Sequence, residues 1–461
     1  IGAARRLPRV RVAVGPRAGR IAIGILVLAT LTVVACATAG PSILVPHSAN
    51  GFPNWESGPL HDITTRVITS PKALELAFSG VLILMLIAYG IVLGAVRTLS
   101  MRAIAIAVVA LHAILLLSPP LQLTDLFNYL GYARLGGLHD LNPYTHVISQ
   151  ELFDPVYRFA TWHGLRSPYG WLFTALTYPL AVLPLPVAYW IVKIVTVGLS
   201  LTFVALVWHL ARRLGRDPRF VVAFVALNPI FLIYAVAGFH NDFFMLVPML
   251  GAAALLLARR DRSAGAVLML AVAVKFTAGL LLPFLLVAAH TRQRRLRVLV
   301  GAGLGAIPLV ALSLLLFGLS IPNLAQQSSV LTGFSIPNLF GLILHIGGAT
   351  PLLLKVAAVG VVLVVAHQFY RNPDWLAGAG WATLALIASL GWLMPWYVIW
   401  VLPLAALGAS VALRRMTVLL SVFLVLTFIP ATTLYMNDQG ISLLNTSAGQ
   451  TATSLQDKLA R

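Results

Sequence analysis

The stretch 124–146, TDLFNYLGYARLGGLHDLNPYTH, puts two carboxylates (Asp125 and Asp140), the guanidinium of Arg134, three tyrosines and two histidines directly after an apolar run of membrane length. A carboxylate beside hydrocarbon costs several kcal/mol unless it is paired or used. This loop is therefore the first place to look for chemistry. Asp125 lies a few residues past the apolar run, which sets it close to the bilayer surface, and a helix over 125–135 would bring Tyr129 and Arg134 near it. Two roles are open to Asp125: the cap of that helix, or a general base acting on a hydroxyl.

Three further groups stand out against apolar surroundings. Gly238-Phe239-His240-Asn241-Asp242 forms a polar turn between two apolar runs, where Asp242 is either the cap of the next span or part of a site. Lys275 sits in AVAVKFTAG; it either snorkels to the interface or, with Lys193 and Lys355 near other outer helix ends, meets an anionic lipid phosphate. Met394-Pro395-Trp396-Tyr397 is either an interfacial aromatic belt or a platform for a sugar. There is no Ser-His-Asp arrangement and no His-x-x-x-His zinc spacing, so general-base catalysis suits the inventory better than a nucleophile or a metal, and neither metal nor cofactor is expected.

The elements that must position these residues follow from composition. At 59% hydrophobic residues, 10% charged and mean hydropathy +0.92 over 461 residues, the chain reads as an all-α polytopic membrane protein. Spans are expected near 21–40, 75–96, 102–120, 187–211, 219–237, 242–258, 297–317, 350–367, 376–392, 397–413 and 415–433. Ala264–Ala289 is too short for two ordinary spans yet has arginines on both flanks; it should enter and return as two short helices turning near Lys275. Pro168–Pro186 should be a partial or re-entrant helix. With this threading about two thirds of the 32 basic residues, all arginine, fall on one side, which the positive-inside rule assigns to the cytoplasm. The +19 charge is thus a topology signal and no nucleic acid partner is implied. Glu56, Asp62, Asp125, Asp140, Glu151, Asp154 and Asp242 fall on, or at the edge of, the opposite face of a plasma-membrane protein, expected to be extracytoplasmic, and so do the long loops 41–74, 121–186 and 318–349. Cytoplasmic loops are too short for a nucleotide-binding domain, and Gly301–Gly305 (GAGLG) reads as helix packing rather than a phosphate loop. The expected organisation is a basic cytoplasmic N-terminus (1–20), one transmembrane domain (21–433) with its catalytic loop at 121–186, and a polar, loosely ordered tail (434–461). The single Cys36 allows no disulfide framework.

In order along the chain, DLFNYLGYARLGGLHDLNPYTH, Ser167-Pro168-Tyr169-Gly170, GFHNDFFM, AVAVKFTAGLLLPF and LMPWYVIWVLPLA resemble the actinobacterial polyprenyl-phosphate-mannose-dependent α-mannosyltransferases of the GT-C class, over about residues 100–410. The resemblance implies a GT-C-like bundle of about 11–13 transmembrane helices with extracytoplasmic loops and short re-entrant or amphipathic helices. It implies inverting transfer of a hexose, most directly mannose, from a polyprenyl-phosphate donor to a glycan or glycolipid hydroxyl in the lipid bilayer. Asp125 would be the base, with Asp62 in the first external loop as its rival, because in many GT-C enzymes the base follows the first span. Tyr129, Arg134, Asn142, Tyr144, Tyr169, His240, Asn241, Asp242, Lys275, Trp396 and Tyr397 would bind substrate. A secondary transporter or flippase of a lipid-linked or anionic substrate is the competing class; it should carry polar groups at the bilayer midplane in paired repeats, whereas here they gather at one face and no repeated halves are visible.

Overall fold

The computed structural model describes residues 15–38, 53–60, 70–121, 124–323, 326 and 329–461, and among these every regular element is helical. Asp62 and the arginines before Arg17 lie outside the described residues, and so does most of loop 41–74. In chain order the main helices are α1 (Pro16–Thr38), α2 (Pro71–Ala95), α3 (Met101–Leu117), α4 (Leu126–Leu138), α5 (Trp171–Thr177), α6 (Leu185–Arg213), α7 (Pro218–Ala226), α8 (Asp242–Leu257), α9 (Asp261–Val274) and α10 (Leu282–Ala288). They continue with α11 (Arg292–Phe317), α12 (Ile336–Ile343), α13 (Pro351–Arg371), α14 (Trp375–Ser389), α15 (Val398–Leu407), α16 (Val411–Phe428), α17 (Pro430–Asp438) and α18 (Ser447–Ala460).

The chain is a multi-pass membrane protein. Six of the described helices are long and apolar enough to cross a bilayer (α1, α2 with the turn that follows it, α6, α11, α13 and α16), and shorter apolar helices fill the spaces between them. Several starts are written locally: Ser70, Ser100, Thr291, Thr350 and Ser410 each accept a backbone N–H of the first turn through the side-chain hydroxyl. The span expected at 219–237 is interrupted. Pro229 has no N–H to continue α7, Asn228 takes over by accepting Ile230 N (2.9 Å) and donating to Ser421 (3.1 Å), and a π-helical turn at Phe231–Val236 follows.

Ala264–Ala289 forms the broken hairpin its flanking arginines imply, with α9 stopping at Val274, Lys275 in extended conformation and a 3₁₀ turn leading to α10. The GAGLG segment seats α11 on α9, and a Cβ at Gly301 would lie 1.9 Å from the carbonyl oxygen of Arg262. Pro168–Pro186 contains α5, a 3₁₀ turn at Tyr178–Leu180 and the first two residues of α6, so it is a partial helix.

The tail differs from expectation. It forms α17 and α18, and α18 docks on the loop after α4: Gly164 N donates to Leu459 O (2.9 Å) while Leu459 packs with Leu165 and Val330. Ala452, Leu455 and Leu459 lie three and four apart on one helix face, a narrow apolar stripe that the polar composition of the segment obscures.

Candidate active site

The segment entering α4 is stitched to the polar turn before α8. Leu121 N donates to Ala237 O (2.9 Å), the Thr124 hydroxyl to Gly238 O (2.9 Å), and Asn241 N to the Tyr129 hydroxyl (3.0 Å). Thr124 also accepts Leu126 N (3.2 Å), whereas Asp125 makes no capping bond. The capping role is thus filled by its neighbour, and the Asp125 carboxylate faces the other way, toward Tyr169, Trp162 and, at 3.8 Å, Nδ1 of His240.

The environment separates the two groups in basicity. The Asp125 carboxyl is raised to about 6: burial is the main cause and the Asp242 charge adds to it, against the lowering effect of Lys275 and the Tyr169 hydroxyl. Burial pushes His240 down to about 3, so its imidazole is neutral at physiological pH; it lies flat on Trp396, ring centroids 3.8 Å apart. A carboxylate poised near neutrality beside a neutral, held imidazole is an arrangement for taking up a proton.

Lys275 projects from the hairpin break onto the fully buried Asp242, with Nζ 2.8 Å from Oδ1. The indole N–H of Trp400 donates to the same oxygen, and the Lys275 ammonium lies 5.2 Å from the Trp400 ring centre. Asp242 opens α8 without capping it by side chain. The loop carrying Tyr169 reaches this hairpin through Gly170, whose N–H donates to Val274 O (3.1 Å) and whose Cβ, were there one, would be 2.2 Å from Ala273 O. On the turn, His240 Nε2, Asn241 Nδ2 and Asp242 Oδ2 are buried with no hydrogen-bond partner among the described residues.

Of the residues singled out in the sequence, Asp125, Tyr129, Tyr169, His240, Asn241, Asp242, Lys275 and Trp396 come together here, with Tyr397 stacked on Trp400 (4.5 Å). Arg134 does not. Its Nε donates to both oxygens of Asp154 (2.8 Å each) and its Nη1 to Ala181 O, since a largely buried guanidinium takes a nearby carboxylate as partner. Tyr144 and Asn142 support the loop: the Tyr144 hydroxyl bonds Thr174 and Tyr169 O, and Asn142 ties the loop to Phe317 O at the end of α11. Lys193 is not a surface cation. It is fully buried, donates to Ser118 O (2.6 Å) and sits 4.1 Å from the Trp190 ring centre, whereas Lys355 is exposed on α13; the lysines do not form one phosphate cluster. Trp400, Trp162 and Thr124 belong to the site and were not anticipated. The signal for Trp400 was its place one helical turn beyond Trp396.

The chain matches a family model described as Alpha-(1->6)-mannopyranosyltransferase, N-terminal domain, over residues 23–291, and one described as Glycosyltransferase family 87 over residues 168–430. It is 27% identical over 234 residues to Alpha-(1->6)-mannopyranosyltransferase A of Mycobacterium tuberculosis, covering 44% of this chain and 45% of that protein. It is 29% identical over 180 residues to Alpha-(1->6)-mannopyranosyltransferase A of Corynebacterium glutamicum, covering 37% and 35%. The chain thus spans less than half the length of these curated relatives. No solved structure matches.

Proposed function

Because the chain belongs to the alpha-(1->6)-mannopyranosyltransferase family, we propose that it is a glycosyltransferase that moves mannose, with inversion, from a polyprenyl-phosphate donor to a hydroxyl of a glycan or glycolipid at the extracytoplasmic membrane face. The observation that carries this reading is Asp125, a carboxylate that leaves capping to Thr124, is held near 6 and faces a neutral histidine. Asp125 takes the proton of the acceptor hydroxyl as its oxygen forms the bond to the anomeric carbon, and the bond from that carbon to the phosphate oxygen breaks on the opposite side. The polyprenyl phosphate departs as an anion with both electrons of the broken bond. A phosphate leaving group needs no general acid. Lys275 supplies positive charge for it, drawn partly away from Asp242 as the donor binds. Hydroxyls of the transferred sugar suit the unpartnered polar atoms of His240, Asn241 and Asp242.

The test is chemical. Purified protein in lipid, given a polyprenyl-phosphate mannose and a mannan acceptor, releases free polyprenyl phosphate in step with acceptor extension. Release that does not depend on acceptor, or vectorial movement of the intact donor, contradicts the reading and favours a flippase.

A further inference from the structure

A second concave site lies on the arginine-rich face, away from the residues described above. Leu206, His209 and Arg213 stand three and four apart on α6, and Gly251 and Ala254 stand three apart on α8, so each set shares a helix face. Together with Arg260 they line a groove of about 560 Å³ between the two helices. The lining residues Gly251 and Ala254 on α8 and Ala258 just past its end are all small. Its walls are apolar along most of its length and its mouth is cationic.

That charge is not neutralised within the protein. Among the described residues Arg213 and Arg260 make no ion pair. The adjacent carboxylate, Asp261, is engaged by Arg294, with Nη2 2.7 Å from Oδ1. Arg212 is held over the Trp208 ring and Arg216 lies 4.0 Å from Asp374, so these two neighbours of Arg213 have other contacts.

We propose that this groove binds an anionic glycerophospholipid of the leaflet on the arginine-rich side. Its phosphate meets Arg213 and Arg260 with His209 below, and an acyl chain lies against Leu206, Gly251 and Ala254. The fit is one of charge and depth. Two unpaired guanidiniums, at the end of α6 and just past the end of α8, suit a phosphodiester oxygen, and basic groups near a membrane surface favour anionic lipid. An apolar trench running from them suits a lipid tail, a part of the groove that a free phosphate would leave unfilled. The site is separate from Asp125 and Lys275 and does not depend on the transfer reaction.

The test uses the full chain, delipidated in neutral detergent and equilibrated with phosphatidylglycerol or phosphatidylcholine, with retained lipid read by mass spectrometry under native conditions. The wild type retains phosphatidylglycerol in preference to phosphatidylcholine. Arg213→Gln/Arg260→Gln weakens that retention by roughly tenfold or more. Arg292→Gln/Arg297→Gln, which removes two exposed arginines elsewhere on the same face, leaves it unchanged. Ala254→Leu, which fills the trench with both arginines intact, also lowers it. Equal retention of phosphatidylcholine overturns the proposal, as does equal loss in the control pair, which would mean diffuse charge attraction. Full retention in Ala254→Leu overturns the placement of the acyl chain.

Discussion

Asp125 and Lys275 are coupled through charge, and this gives a signed prediction. The Asp125 carboxyl is raised from 3.8 to about 6, so as a base it is active when deprotonated, and the second-order rate of transfer should rise with pH through about 6 and level off above 7. Lys275 lowers that value, so Lys275→Gln should move the rise to higher pH as well as weaken donor use. A profile that stays in place in Lys275→Gln would show that the two groups do not sense each other. These residues were legible in the sequence because a lone charge in apolar surroundings is conspicuous. Trp400 was not, since a tryptophan near a helix end reads as an interfacial belt until its N–H is found on Asp242. Lys193 was misread because position near a helix end says nothing about the Tyr189, Trp190 and Phe239 rings that enclose it.

The loop between α4 and α5 is held in shape by Asp154. Burial works against its ionisation, but bonds from His139, Val156 N–H and Arg134 win, and its carboxyl lies below the ordinary value. A lowered carboxylate stabilises the fold above its unfolded value of about 3.8, and that contribution is lost as pH falls through the folded value. Asp154→Asn should therefore lower the Tm at pH 7 by an amount equivalent to about 3 kcal/mol, because Arg134 is left without its partner, and the gap to wild type should close on acidification. An unchanged Tm at pH 7 would mean that the pair does not hold the loop. The pairing is invisible in sequence because twenty residues separate its members. The hairpin around Lys275 was readable, since arginines on both flanks leave a short apolar run no other path; α18 was not, since its stripe is only three residues in a polar helix.

For the molecule as a whole, composition and arginine placement gave the all-α membrane architecture, and the five ordered motifs gave the family. Sidedness is tested by Arg166→Cys: residue 166 is exposed in the loop, and the only native cysteine, Cys36, is buried in α1. The variant should react with an impermeant thiol reagent in intact cells, and labelling only after permeabilisation would invert the topology. Asp125 is the proposed base, and the direct measurement is the transfer rate of Asp125→Asn beside Asp62→Asn, with donor binding and Tm followed for each. Asparagine keeps the size and removes the basicity, so Asp125→Asn should lose roughly 10²–10⁴-fold in rate. It should keep donor binding and gain Tm at pH 7.5, because a partly buried charge has been removed. Asp62→Asn should transfer at close to the wild-type rate. Loss confined to Asp62→Asn, with Asp125→Asn active, would move the base to the loop after α1 and contradict the account.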